Sequence, residues 1–146
     1  MTALFEHSPW VEARADAAPS SGDRHADLMA VVYDATPDEQ LALIRAHPEL
    51  AGKAAVDRTL TDASSAEQAS AGLNRLTRQE YDRFHALNAA YRERFDFPFI
   101  ICVRLTDKAG ILAAMEQRLG NGRDEEIATA LAQIGEIVRL RLEDVA

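Results

Sequence analysis

One cysteine, one tryptophan and seven glycines in 146 residues exclude several common designs. With Cys102 alone, no intramolecular disulfide can form, and no paired cysteines are available for a zinc site. Cys102 sits in the apolar run Phe97-Pro98-Phe99-Ile100-Ile101-Cys102-Val103 and reads as a buried structural thiol. No uninterrupted apolar stretch reaches the roughly 18 residues of a membrane span, so no membrane partner is expected. Residues 1–8 lack the basic-then-apolar design of a secretory signal, and Glu143-Asp144-Val145-Ala146 is not a peroxisomal tail. The expected location is the cytoplasm. Positive charge is also short: 16 Lys and Arg stand against 24 Asp and Glu, a net charge of -8. Without a basic stripe, nucleic acid is not an expected partner. A small anion remains possible, because one or two arginines can set the local field.

What is present suits one globular domain over residues 1–146, with 47% hydrophobic and 27% charged residues. A domain of this length buries about two-thirds of its unfolded surface, enough for a core and a pocket. Ala, Leu, Glu, Arg and Gln dominate, which favours helix throughout. Ser8-Pro9 predicts a helix to about Ala17, and a second is expected from about Asp23 to Tyr33. Thr36-Pro37-Asp38-Glu39 is a capping box whose helix should end near His47-Pro48. Residues 48–63 read as irregular. Ser64 and Glu67 have capping-box spacing before a helix to Leu76, and Thr77 and Glu80 repeat it before a long helix to about Phe95. The run 97–103 is too short for a buried helix and holds Pro98, so it reads as a buried extended segment. Two more helices are expected, from about Lys108 to Leu119 and from about Asp124 to Asp144, separated by Gly120-Asn121-Gly122. The expected fold is a single-domain all-α bundle of about seven helices with one short buried extended segment.

Few side chains could carry chemistry. His47 lies three residues beyond Ile44 on an apolar stripe and should face inward. It is either a satisfied core histidine or an acid-base group titrating near neutral pH. Ser64-Ser65-Ala66-Glu67-Gln68 is either a plain helix start or a polar site where helix N–H groups, a carboxylate and an amide orient a heterocycle. Arg141 interrupts the stripe Ile127, Leu131, Ile134, Val138, Val145 of the last helix. It either snorkels at the edge of that face or points into a pocket to grip a carboxylate bidentately. Arg104, after the buried run, is a second anion candidate or a solvated end residue. His7, His25 and His85 lack metal-ligand spacing, and no zinc-binding helix, phosphate loop, dinucleotide fingerprint or serine elbow occurs. The residues alone point to a site without metal or cofactor for a small polar anion, with His and Glu moving protons.

Four motifs carry a resemblance further. They are Phe5-Glu6-His7-Ser8-Pro9-Trp10-Val11, His47-Pro48-Glu49-Leu50-Ala51-Gly52, Ser64-x-x-Glu67-Gln68-x-x-Ala71-Gly72-Leu73, and Phe97-Pro98-Phe99-Ile100-Ile101-Cys102-Val103-Arg104. In this order and spacing the chain resembles the OHCU decarboxylase family, which acts on 2-oxo-4-hydroxy-4-carboxy-5-ureidoimidazoline in urate breakdown. The resemblance extends to Glu136-Ile137-Val138-Arg139-Leu140-Arg141-Leu142. It implies an all-α homodimer that forms (S)-allantoin without a cofactor. It further implies that His47 transfers protons and that Pro48 borders the substrate. Ser64, Glu67 and Gln68 would contact the ring and ureido group, with Glu67 sharing the catalysis. Phe99, Ile100, Ile101, Cys102 and Val103 would line the site, and Arg141 would lie near the substrate. A non-catalytic helical binding module, or a hydrolase of a related ureido compound, is the competing reading.

Overall fold

Helix boundaries in the computed structural model follow local signals where side chains cap the backbone. The structure describes residues 4–5, 8–47, 50, 62–73 and 76–145. Among these lie α1 (Trp10–Ala17), α2 (Arg24–Asp34), α3 (Pro37–Arg45), α4 (Asp62–Ser70), α5 (Arg78–Phe95), α6 (Lys108–Arg118) and α7 (Arg123–Val145). A 3-10 turn, Val103–Leu105, precedes α6. The fold is all-α. Both threonine capping boxes close reciprocally: Glu39 N–H donates to Thr36 Oγ1 at 3.2 Å and Glu80 N–H to Thr77 Oγ1 at 3.1 Å. Asp23 and Asp107 cap α2 and α6 one way only, accepting from Ala26 N–H and Gly110 N–H at 3.0 and 2.9 Å. Caps of this kind contribute about 0.5–2 kcal/mol each.

Three local expectations are corrected. Pro9 precedes α1, and no side chain caps that helix. α4 begins at Asp62, so Ser64 lies within the helix and not at its cap. Ala63 and Ala66 are strong helix formers, and they carry the helix through a spacing that only mimics a start. The same helix stops at Ser70, short of Leu76, because Gly72 takes φ +83°. Leu73 N–H reaches Gln68 O at 2.9 Å and Gly72 N–H reaches Ala69 O at 3.0 Å, the paired bonds of a Schellman stop.

The segment 97–102 is buried along most of its length but is not a strand, and no strand occurs among the described residues. A segment outside helix and sheet must find other partners for its peptide groups. Here side chains supply them: Arg118 Nη1 donates to Ile100 O at 2.7 Å, and Cys102 N–H donates to Gln133 Oε1 at 2.9 Å.

α7 is the axis of the core, with Ala130, Leu131, Ile134 and Val138 buried along one side. α2 and α3 pack on it, α1 packs on α2, α5 packs on α6, and α4 meets the 3-10 turn. α2 approaches α7 so closely that a Cβ at Gly135 would lie 3.1 Å from Met29 Cε. His25 Nε2 ties the same pair by donating to Gly135 O at 2.9 Å. Tyr91 stacks aromatic contacts on Phe95 and Phe99, with centroids 4.6 and 5.3 Å away. No helix among the described residues is long and apolar enough to cross a membrane.

Candidate active site

The end of α3 delivers the imidazole. His47 N–H bonds to Ile44 O at 3.1 Å, continuing the last turn past Arg45, and the side chain is buried. Its Nδ1 lies 3.0 Å from Leu43 O. A carbonyl can only accept, so Nδ1 carries the hydrogen and the neutral ring keeps its lone pair on Nε2. The chain beyond is pinned to α5 by Asn88, whose Nδ2 donates to Leu50 O at 2.9 Å.

The inward position read for Arg141 holds: it is 1% exposed. Its guanidinium closes on Glu67 of α4 as a two-pronged pair, Nε to Oε2 at 2.9 Å and Nη2 to Oε1 at 2.7 Å. Nη1 also reaches Leu4 O at 3.3 Å. The pair joins the first described residues, α4 and the last helix around one point. Planar guanidinium on planar carboxylate is the strongest geometry open to such ions. It uses two of the carboxylate's four acceptor positions and leaves the others for a ligand.

His47, Glu67, Gln68, Arg104 and Arg141 all line a single cavity, together with Phe99, Ile100, Ile101, Cys102 and Val103. Arg104 is differently placed from Arg141. It grips Asp144 near the end of α7 at 2.7 and 3.2 Å, and its side chain remains 30% exposed. The Asp144 carboxylate raises the Arg104 pKa further above its ordinary range. Burial pushes the Cys102 thiol above its usual value and keeps it protonated, consistent with a structural thiol. Pro48 and the Ser64 side chain lie outside the described residues.

Behind the wall lies a polar cluster that motif reading missed. Glu126 is fully buried and accepts from Tyr91 Oη at 2.5 Å, Arg118 Nε at 2.8 Å and Asn121 Nδ2 at 2.9 Å. The signal was available: Glu126 stands four and eight residues before Ala130 and Ile134, on the inward face of its helix. A carboxylate there demands a cation, and Arg118, eight residues upstream, supplies it. Among the described residues, no group of three or more His, Cys, Asp and Glu side chains could hold a metal ion.

Comparison with known proteins shows the family. The profile of the OHCU decarboxylase family matches residues 1–143. The chain belongs to that family. A 2-oxo-4-hydroxy-4-carboxy-5-ureidoimidazoline decarboxylase of Haloferax volcanii is 43% identical over 145 residues, covering 97% of this chain and 83% of that protein. One of Mus musculus is 42% identical over 113 residues, covering 77% and 64%. Among solved structures, the crystal structure of an (S)-allantoin synthase aligns with TM-score 0.70 at 30% identity. That alignment covers 97% of this chain and 46% of the other. An OHCU decarboxylase crystallised in the presence of (S)-allantoin aligns with TM-score 0.73 over 95% of this chain and 92% of that one. At 18% identity it speaks for the shared helical fold.

Proposed function

We propose that this member of the OHCU decarboxylase family is a carboxy-lyase that converts 2-oxo-4-hydroxy-4-carboxy-5-ureidoimidazoline to (S)-allantoin and CO2 in urate breakdown. The observation that carries the reading is the sharing of one small cavity by His47, tautomer assigned, and the Glu67–Arg141 pair. The homodimer, the cytoplasmic location and the single domain over residues 1–146 belong to the same proposal and rest on the sequence and its family resemblance.

The chemistry follows from the substrate's own bonds. One ring carbon bears both the carboxylate and a hydroxyl, and its ring neighbour is an imine carbon carrying the ureido arm. His47 takes the hydroxyl proton on Nε2. The bond to CO2 breaks, and its electron pair forms a carbon–carbon double bond while the imine electrons move onto nitrogen, which is protonated. The substrate is its own electron sink, so neither metal nor organic cofactor is required. The enolate, its hydroxyl proton already on His47, then becomes a carbonyl as a proton is delivered to the ureido-bearing carbon. A pocket that admits this proton from one face yields one enantiomer. Glu67, oriented by Arg141, accepts from the ring and ureido N–H groups with its remaining lone pairs. Gln68 and Phe99 to Val103 line the same cavity, and the family resemblance implies that Pro48 and Ser64 also meet the substrate. Arg141 thus acts chiefly by holding Glu67, since a tighter grip on the departing carboxylate would stabilise the ground state it must leave.

The test is to generate the unstable substrate in situ from urate with the two preceding activities and follow optical rotation. Addition of the chain is expected to speed the appearance of (S)-allantoin over the slow racemic background. Racemic product at the background rate would remove the reading and leave a binding module or a hydrolase.

A further inference from the structure

Two side chains outside the cavity decide what the cavity wall can offer a ligand. Arg118 of α6 takes the carbonyl of Ile100, and Gln133 of α7 takes the N–H of Cys102. These groups belong to consecutive peptide units, 100–101 and 101–102, and both are trans. In a trans peptide the C=O and N–H point in opposite directions. The Ile101 N–H is therefore directed away from Arg118, and the Ile101 C=O away from Gln133. Neither Ile101 group has a hydrogen-bond partner among the described residues, although Ile101 is half-buried and lines the cavity. A half-buried residue with both backbone groups unused is a place where a ligand gains without first breaking a bond.

We propose that Gln133 and Arg118 are positioning residues that orient two consecutive peptides of the wall, so that Ile101 presents an adjacent donor and acceptor to the cavity. That edge is complementary to a cyclic urea or lactam, in which a ring N–H stands beside a ring C=O. It recognises the ring of the ligand and leaves proton transfer to the side chains of the cavity. The inference rests on the proposed function, because a ureidoimidazoline and allantoin both carry such an edge. Arg118 is itself fixed by the buried Glu126 carboxylate and lies over the Phe99 ring, its Cζ 4.3 Å from the centroid. Gln133 is half-buried on the face of α7 and can be changed without opening the core.

The experiment uses the full chain, with (S)-allantoin as a neutral probe followed by calorimetry and Cys102 amide exchange followed by NMR. Gln133→Leu removes the acceptor; Gln133→Glu keeps an oxygen there. The expected result for Gln133→Leu is faster exchange at Cys102 and about 3–10-fold weaker allantoin binding, the range one lost hydrogen bond produces. Its KM should rise by a similar factor while its melting temperature stays within about 3 °C of wild type. Gln133→Glu should bind allantoin within about twofold of wild type, a rescue that a packing role would not give. Gln133→Leu matching wild type in affinity and KM, or Gln133→Glu failing alongside it, overturns the assignment while the decarboxylase reading stands. A wild-type chain that neither binds allantoin nor turns over substrate removes the functional reading, and this inference with it.

Discussion

Cutting the Glu67–Arg141 pair from one side should cost stability as well as activity, and a double variant separates the two. Arg141 is 1% exposed and the Glu67 side chain 11%. Removing one member of a buried pair leaves the other charged and uncompensated, at about 3–5 kcal/mol. The cavity lets some water reach Glu67, so the lower end, about 3 kcal/mol, is the expectation for Arg141→Met. In a domain near 150 residues each kcal/mol moves the melting temperature by about 2–4 °C, so the loss should be about 6–12 °C. Glu67→Leu should cost a similar amount, because it strands the guanidinium. The double variant Glu67→Leu/Arg141→Met leaves no orphan charge, and apolar replacements of buried pairs are often neutral or stabilising. It should regain at least half of the lost melting temperature yet remain inactive. Thermal melts at pH 7 with (S)-allantoin formation on the same samples give both readouts. A double variant whose loss equals the sum of the two single losses would show no coupling across the pair. That result, or an Arg141→Met protein melting within about 2 °C of wild type, refutes the reasoning.

Three further outcomes are expected. His47→Asn should fold normally and lose about 100-fold or more in kcat, since acid-base groups contribute about 10²–10⁴-fold; retention of a tenth of wild-type kcat removes His47 as the base. Burial, and then the bond to Glu126, raise the Tyr91 phenol above its ordinary pKa of 10.0. The neutral phenol is therefore favoured in the folded state: its contribution is complete below about pH 10 and is lost as pH rises through the higher folded value. Urea melts should show an alkaline loss above about pH 10 that Tyr91→Phe reduces, and an unchanged profile in the variant would contradict this. Cys102, 2% exposed with its pKa raised, should react slowly with Ellman's reagent at pH 8 in the native chain and completely in urea. Rapid native labelling would place the thiol at the surface.

Much of this chain was legible one helix at a time. Thr36 and Thr77 mark helix starts because a hydroxyl and a carboxylate three residues on satisfy each other's backbone groups, whatever the rest of the protein does. The long helix 123–145 follows from its apolar stripe, and the same stripe turns Arg141 inward. His47 was legible as an inward imidazole at a helix end, and the four motifs in order were enough for the family. Local signals misled where two of them competed. The Ser64–Glu67 spacing resembled a cap inside a run of good helix formers, and Gly72 ended α4 through a left-handed turn that was not read as a stop.

Tertiary structure alone decided the partners. Nothing local says that Arg141 closes on Glu67, 74 residues away, or that Arg104 closes on Asp144, 40 residues away. Nor could the sequence show why residues 97–102 need no neighbouring strand. Two of their peptide groups, Ile100 C=O and Cys102 N–H, are satisfied by Arg118 and Gln133, and the placement of those two depends on how α6 and α7 pack. The division has a physical cause. Caps, turns and helical stripes are set by interactions within a few residues, which the linear order records. A buried charge or peptide group must be satisfied by whatever the packing brings near, so its partner is known only once the helices are in place.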